Sequence, residues 1–232
     1  MKRAYKIRRS IAAIVALAIA VTVLLTHPDL YQPATTPATP EISKATGEAM
    51  TILDQLEVKG RAPKTNYSRD QFGDGWESKQ GCDTRNIILH RDLVNTATNT
   101  ECKIVSGLLH DPYTGKDIPF VRGDTTSDDV QIDHVVALSD AWQTGAQQLS
   151  PQERVNFAND PLELLAVDGR ANQQKSDGDA ATWLPSNKAF RCQYVARQIA
   201  IKKNYRLWVK QAEKDAMIYV LATCPGQLLP TS

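Results

Sequence analysis

The sequence predicts an α+β fold: a strand–strand–helix core at about residues 128–180, further helices that include a C-terminal helical hairpin, and two disulfides. Three observations carry this. Two short apolar runs, Gln131–Leu138 and Leu162–Val167, precede Ala171–Lys175, which opens a helix. Phe190 to Leu221 has helical composition throughout. The four cysteines, Cys82, Cys102, Cys192 and Cys224, form no C-x-x-C pair. An even count without that spacing suits disulfides better than a zinc ribbon.

Taken in order, Met1–Arg9 is basic and Ile11–Leu25 is apolar but for Thr22. Fifteen helical residues span roughly 22 Å, short of a hydrocarbon core of roughly 30 Å. Residues 1–27 therefore read as an export signal or a membrane anchor. The small-x-small triplets lie inside the apolar run, so cleavage and retention both stay open. Either way the domain is exported: secreted, or held outside the membrane. Residues 28–45, with Pro28, Pro33, Pro37 and Pro40, form a Pro/Thr/Ala-rich linker. Residues 46–232 are the folded domain.

Ala49, Ile52, Leu53 and Leu56 recur at helical spacing before Gly60. Residues 65–83 read as loop, and Asn86–Leu93 fits helix or strand. Lys103–Leu108 and Ile118–Val121 form a hairpin around Asp111-Pro112-Tyr113-Thr114-Gly115. Gln131–Leu138 is a strand, and Ser139–Trp142 starts a helix. Ser150-Pro151-Gln152-Glu153 is a capping box with proline at the first helical position, so a helix runs to about Ala158. Leu162–Val167 is a strand, turned by Asp168-Gly169. One straight helix from Cys192 to Cys224 would be roughly 48 Å long, whereas disulfide partners stand within roughly 7 Å. The bridges favoured are Cys82–Cys102 and Cys192–Cys224, because each closes a local loop. The second requires the helix to fold back, with Asn204 as the turn. Four free thiols are the alternative.

Net charge is +1. Without the five bases of residues 1–27 the rest carries −4, which excludes an evenly basic nucleic-acid coat. Only one long apolar run exists, which excludes a membrane channel. Residues 124–179 hold eleven acids and three bases. Residues 191–214 hold seven bases and one acid. A phosphate backbone lying on this basic hairpin would involve Arg197, Lys202 and Lys203; a solvated helix face is the bland alternative.

His27 lies in the export region, and His90 and His110 lie in segments with no other catalytic signature. His134 follows Asp133 on an apolar strand, where two polar residues need partners. Adjacent strand residues face opposite ways, so a bulge or a strand end is needed for both to reach one site. Asn159 precedes the second strand. Asn172 and Lys175, three apart, share a helix face. In this order an imidazole and oxygen ligands can be brought together.

The stretches QIDHVVALSDAW, FANDPLELLAVDGRANQQKSDGDAATWLP and RCQYVARQIAIKKNY, with GCDTRN and GLLHDPYTGKDIPF upstream, resemble the HNH (His-Me finger, ββα-metal) nucleases. The nearer resemblance is to secreted bacterial HNH endonuclease-like proteins that share a domain with the C-terminal part of GmrSD-type restriction enzymes. It covers roughly residues 65–224. The HNH domain of the CRISPR effector nuclease has a similar order, Asp-His followed by N-x-x-K-S-D.

The resemblance implies metal-dependent phosphodiester hydrolysis. His134 is then the general base, and Asp133 and Asn172 hold one cation. Asn159 orients the His134 loop, and Lys175 contacts phosphate or steadies the transition state. Arg85 binds phosphate or pairs with Asp83. An amide oxygen in the last position suits Mg²⁺, with Mn²⁺ as a substitute. The expected partner is nucleic acid, DNA before RNA, at low sequence specificity, and the expected state is a monomer. Two other readings stand beside this one: a catalytically silent surface protein that keeps the fold, and a small-molecule phosphodiesterase.

Overall fold

The computed structural model describes residues 48–123 and 127–231. The export segment and the whole linker lie outside them. Among the described residues no helix is long and apolar enough to cross a membrane. The architecture is mixed α/β with two disulfides, Cys82–Cys102 and Cys192–Cys224, whose Cα atoms stand 5.5 and 6.5 Å apart.

Helix α1 (Ala49–Gln55) buries Ala49, Ile52 and Leu53. The stretch expected to be loop contains a 3₁₀ turn at Arg69–Phe72 and a small hairpin of β1 (Ser78–Lys79) and β2 (Cys82–Asp83). The ambiguous segment is helix: α2 (Thr84–Asp92) starts on Asp83, whose carboxylate accepts from the backbone N–H of Asn86 at 2.7 Å. Asp83 is thus a helix cap. β3 (Leu93–Thr98), not foreseen from the sequence, pairs with β4 (Ile104–His110), which pairs with β5 (Asp117–Val121). Asn95 takes a positive φ of 54° at an irregularity in β3, and that break in alternation hides the strand.

β6 (Val130–His134) ends four residues earlier than expected. It pairs antiparallel with β7 (Leu164–Asp168), Asp133 opposite Leu165 and His134 opposite Leu164. After His134 the chain bends. Val135 N–H donates to the Glu163 carbonyl at 2.8 Å, and Val136 N–H to the Glu163 carboxylate at 3.1 Å. Val135 and Val136 then enter the core and α3 (Leu138–Gln143) begins. An apolar run therefore spanned a strand, a bend and a helix start. α4 (Pro151–Ala158) carries the foreseen capping box.

α5 (Gly169–Lys175) follows β7 directly and lies against both strands. Gly169 is required there, since a Cβ would stand 2.0 Å from the Asp128 carbonyl oxygen. The two-stranded sheet separates two apolar clusters. Val130, Ile132, Leu164 and Ala166 face α2, and Leu165 and Val167 face the larger core.

α6 (Arg191–Asn204) and α7 (Gln211–Leu221) pack together, joined by residues 205–210. The expected turn at Asn204 is thus a six-residue connector beginning just after it. The Cys192–Cys224 loop of 32 residues and the Cys82–Cys102 loop of 20 residues each contribute about 3–4 kcal/mol by the chain-entropy estimate. The Cys192→Ser/Cys224→Ser variant should lose that much in guanidinium denaturation. A loss below about 1 kcal/mol would mean that helix packing alone holds the pair.

Candidate active site

Because β6 ends at His134, two residues on opposite faces of a strand both line one cavity of about 480 Å³, together with Gln131, Asn172, Ser176 and Arg69. On one face, Gln131 and Asp133 meet Asn172 and Lys175 of α5. Asn172 Nδ2 donates to Gln131 Oε1 at 2.9 Å, leaving the Asn172 amide oxygen as an available ligand. Lys175 Nζ donates to Asp133 Oδ1 at 2.9 Å and to the His134 carbonyl at 2.8 Å. The other Asp133 oxygen accepts from the Tyr113 hydroxyl. Burial pushes the Asp133 carboxyl above its usual range, and the Lys175 ammonium and Tyr113 hydroxyl oppose that rise.

On the other face, His134 is 7% exposed. Its Nε2 stands 3.0 Å from the Ala158 carbonyl. A carbonyl only accepts, so Nε2 carries the hydrogen and Nδ1 carries the lone pair. The indole of Trp76 stacks on the imidazole at 9° with centroids 5.7 Å apart. Burial, then the Arg69 charge, lower the imidazole pKa to about 3, against a smaller opposing effect of the Ala158 carbonyl. At neutral pH the ring is neutral.

Asn159 is 1% exposed, and its side-chain hydrogen bonds go elsewhere than to the His134 loop. Its Oδ1 accepts from Glu77 N–H at 2.9 Å, and its Nδ2 donates to the Val155 carbonyl at 3.1 Å. It ties the loop carrying Trp76 to the end of α4, beside the carbonyl that orients His134. Its influence on the imidazole is indirect. Lys175 is 2% exposed, and its contacts with Asp133 and the His134 carbonyl point inward. It positions the strand end rather than reaching a substrate phosphate.

Arg85 donates to the Val130 carbonyl at 3.4 Å. That is the opposite end of β6, about 13 Å along the strand from His134. Arg85 is therefore not brought to the cavity, and Asp83 pairs with Asn86 rather than with it.

The basic hairpin requires a correction too. Lys202 is 1% exposed and ion-paired with Glu213 at 2.9 Å and Asp140 at 3.5 Å. Arg197 donates to the Leu162 carbonyl at 2.7 Å, and Lys203 to Gln55 Oε1 at 3.0 Å. Lys210 engages Asp140 and Asp179, and Arg206 engages Glu153. Three of the seven bases, Lys202, Arg206 and Lys210, are thus paired with acids of the 124–179 block. A phosphate backbone has no continuous basic strip to follow on α6 and α7.

Sequence reasoning missed Tyr113, Trp76 and Arg69. Tyr113 sits in the Asp111–Gly115 turn, which Asp111 fixes by accepting from Asp168 N–H at 2.9 Å. The turn signal was visible, but its delivery of a hydroxyl to Asp133 was not. Trp76 and Arg69 carry no local motif.

The donor set can be tested against a divalent cation. Among the described residues no group of three or more His, Cys, Asp or Glu is placed to hold a metal. Mg²⁺ does not need one: one or two carboxylates, an amide oxygen, waters and substrate phosphate suffice. A carboxylate has about four lone-pair positions, of which Lys175, Tyr113 and the His134 backbone N–H take three at Asp133, leaving one. Asp133 and Asn172 therefore fit such an ion.

The chain matches the family model of GmrSD restriction endonucleases, C-terminal domain, over residues 83–220. This span is more than half the chain and includes β6, β7 and α5. The chain is also 38% identical over 208 residues to an uncharacterized secreted protein of Arthroderma benhamiae, covering 88% of this chain and 95% of that one. No solved structure matches it. The chain belongs to the nuclease-related family of GmrSD restriction endonuclease C-terminal domains.

Proposed function

We propose that the protein is an exported, metal-dependent HNH-type endonuclease that hydrolyses phosphodiester bonds of nucleic acid, DNA before RNA, with low sequence specificity. The observation that carries this is the His134 tautomer. Nε2–H is held by a carbonyl, so Nδ1 is left as proton acceptor on a residue that shares a cavity with Asp133 and Asn172. The family supports the nuclease class. The basic and apolar N-terminus and the secreted relative support export.

In this reading a water attacks phosphorus as His134 Nδ1 takes its proton. The bond from phosphorus to the 3′-oxygen breaks, and solvent protonates the leaving oxygen. Asp133 and Asn172 would hold Mg²⁺, or Mn²⁺ in its place, which supplies positive charge against the phosphoryl and leaving oxygens. Tyr113 and Lys175 fix the Asp133 carboxylate, and Ala158 fixes the imidazole plane. The residues act within one chain, consistent with a monomer.

The test is nicking of supercoiled plasmid by the purified domain with Mg²⁺, with and without EDTA. Nicking abolished by EDTA is expected. No nicking under any metal would leave the catalytically silent reading standing, and turnover of bis-p-nitrophenyl phosphate alone would favour the small-molecule phosphodiesterase. Asn172→Ala should raise the Mg²⁺ concentration needed for half-maximal rate by about tenfold or more. An unmoved titration removes it from the ligand set.

A further inference from the structure

The helical pair offers no strip of free cations, so a phosphate at His134 must be met elsewhere. Three cationic side chains approach the cavity. Lys175 is locked inside. Lys64 stands 3.6 Å from Asp177 and lies over the Tyr67 ring. Arg69 lines both the 480 Å³ cavity and a smaller one of about 140 Å³, and His134 also lines both. Arg69 is exposed, and its guanidinium makes no hydrogen bond or ion pair among the described residues.

The backbone beneath it is fixed. Arg154 donates to the Gln71 carbonyl at 2.8 Å and to Gln71 Oε1 at 3.1 Å. Phe72 is 2% exposed and packs on Phe157 with ring centroids 5.8 Å apart. Gly73, at a φ of 101°, lies over Val155. A free planar donor fork is thus carried on a rigid turn beside the proton-accepting imidazole. Leaving a guanidinium without an anion beside a histidine serves no packing purpose visible here. A phosphodiester offers two non-bridging oxygens that match its geometry.

We propose that Arg69 is a catalytic residue that binds the non-bridging oxygens of the scissile phosphate through its guanidinium. This rests on the nuclease reading and adds a substrate contact that no motif signals.

The experiment compares Arg69→Ala and Arg69→Lys with the wild type in the full-length protein. It measures plasmid nicking, and separately the binding of a fluorescein-labelled phosphorothioate oligonucleotide by anisotropy. Because Arg69 is exposed, thermal midpoints should not move. Arg69→Ala should lower kcat/KM by about 10²-fold or more and weaken oligonucleotide binding. Arg69→Lys should recover only part of the rate, since an ammonium cannot donate in parallel. Lys103→Glu, an exposed base that lines neither cavity, should match the wild type. If the wild type nicks DNA and Arg69→Ala stays within twofold, the Arg69 assignment falls and the nuclease reading survives. If the wild type neither nicks nor binds, the nuclease reading falls, and this assignment with it.

Discussion

Replacing His134 by alanine should abolish metal-dependent nicking, a loss of about 10²–10⁴-fold for a positioned general base. The glutamine variant is the cleaner test. Its amide N–H can still donate to the Ala158 carbonyl, which His134→Ala leaves without a partner in a buried place. It cannot accept a proton as Nδ1 does. Full activity in either purified variant would sink the assignment. The same substitution has a stability signature of defined sign. The folded imidazole protonates only near pH 3, whereas the unfolded one does so near pH 6.5. Above that value the group adds no pH dependence. As pH falls below it, the unfolded chain takes up a proton that the folded chain refuses, and stability is lost at about 1.4 kcal/mol per pH unit. Denaturation at pH 7 and pH 5 should therefore differ by roughly 2 kcal/mol more in the wild type than in His134→Gln. Equal differences would mean that the ring is not buried neutral.

Lys202→Met should lower the thermal midpoint by on the order of 10 °C. The ammonium faces Glu213, which is fully buried, and Asp140. Removing one partner of a buried pair costs about 3–5 kcal/mol, because Glu213 and Asp140 then keep only Lys210, which stands 3.6 Å from Glu213. At this chain length each kcal/mol moves the midpoint by about 2–4 °C. The double variant Lys202→Met/Glu213→Leu should recover most of the loss. Differential scanning calorimetry reads both. A midpoint for Lys202→Met within about 2 °C of wild type would show that Lys202 reaches solvent after all. It would reopen the helical pair as a phosphate surface.

The sequence was legible wherever one local rule decided the outcome. The Ser150–Glu153 capping box sets the start of α4, and the cysteine pairing followed from loop length. The Asp-His, Asn and Asn-x-x-Lys order put Asp133, His134, Asn172 and Lys175 around one strand end. It was misleading where charge was read as surface. Seven bases among residues 191–214 look like a phosphate track. The acids that pair with Lys202, Arg206 and Lys210, namely Asp140, Glu153 and Asp179, are distant in sequence, and no local pattern marks such a pair. Arg69 and Trp76 were invisible for a related reason. Only packing on α4 brings them to His134: the 3₁₀ turn carries Arg69, and Asn159 ties down the loop that carries Trp76.

The disulfide arrangement has a consequence for how the chain matures. Both bridges join cysteines that are neighbours in the order of cysteines along the sequence, across 20 and 32 residues. The other two pairings would span much longer stretches. Encounter probability in an unstructured chain falls as the intervening length grows. The thiols that meet first on entering an oxidising compartment are therefore those bonded in the finished protein. On the proposed export route Cys82 and Cys102 would also emerge together well before the second pair. Native connectivity is then the kinetically favoured product of oxidation, and the chain has little need of an isomerase to correct it.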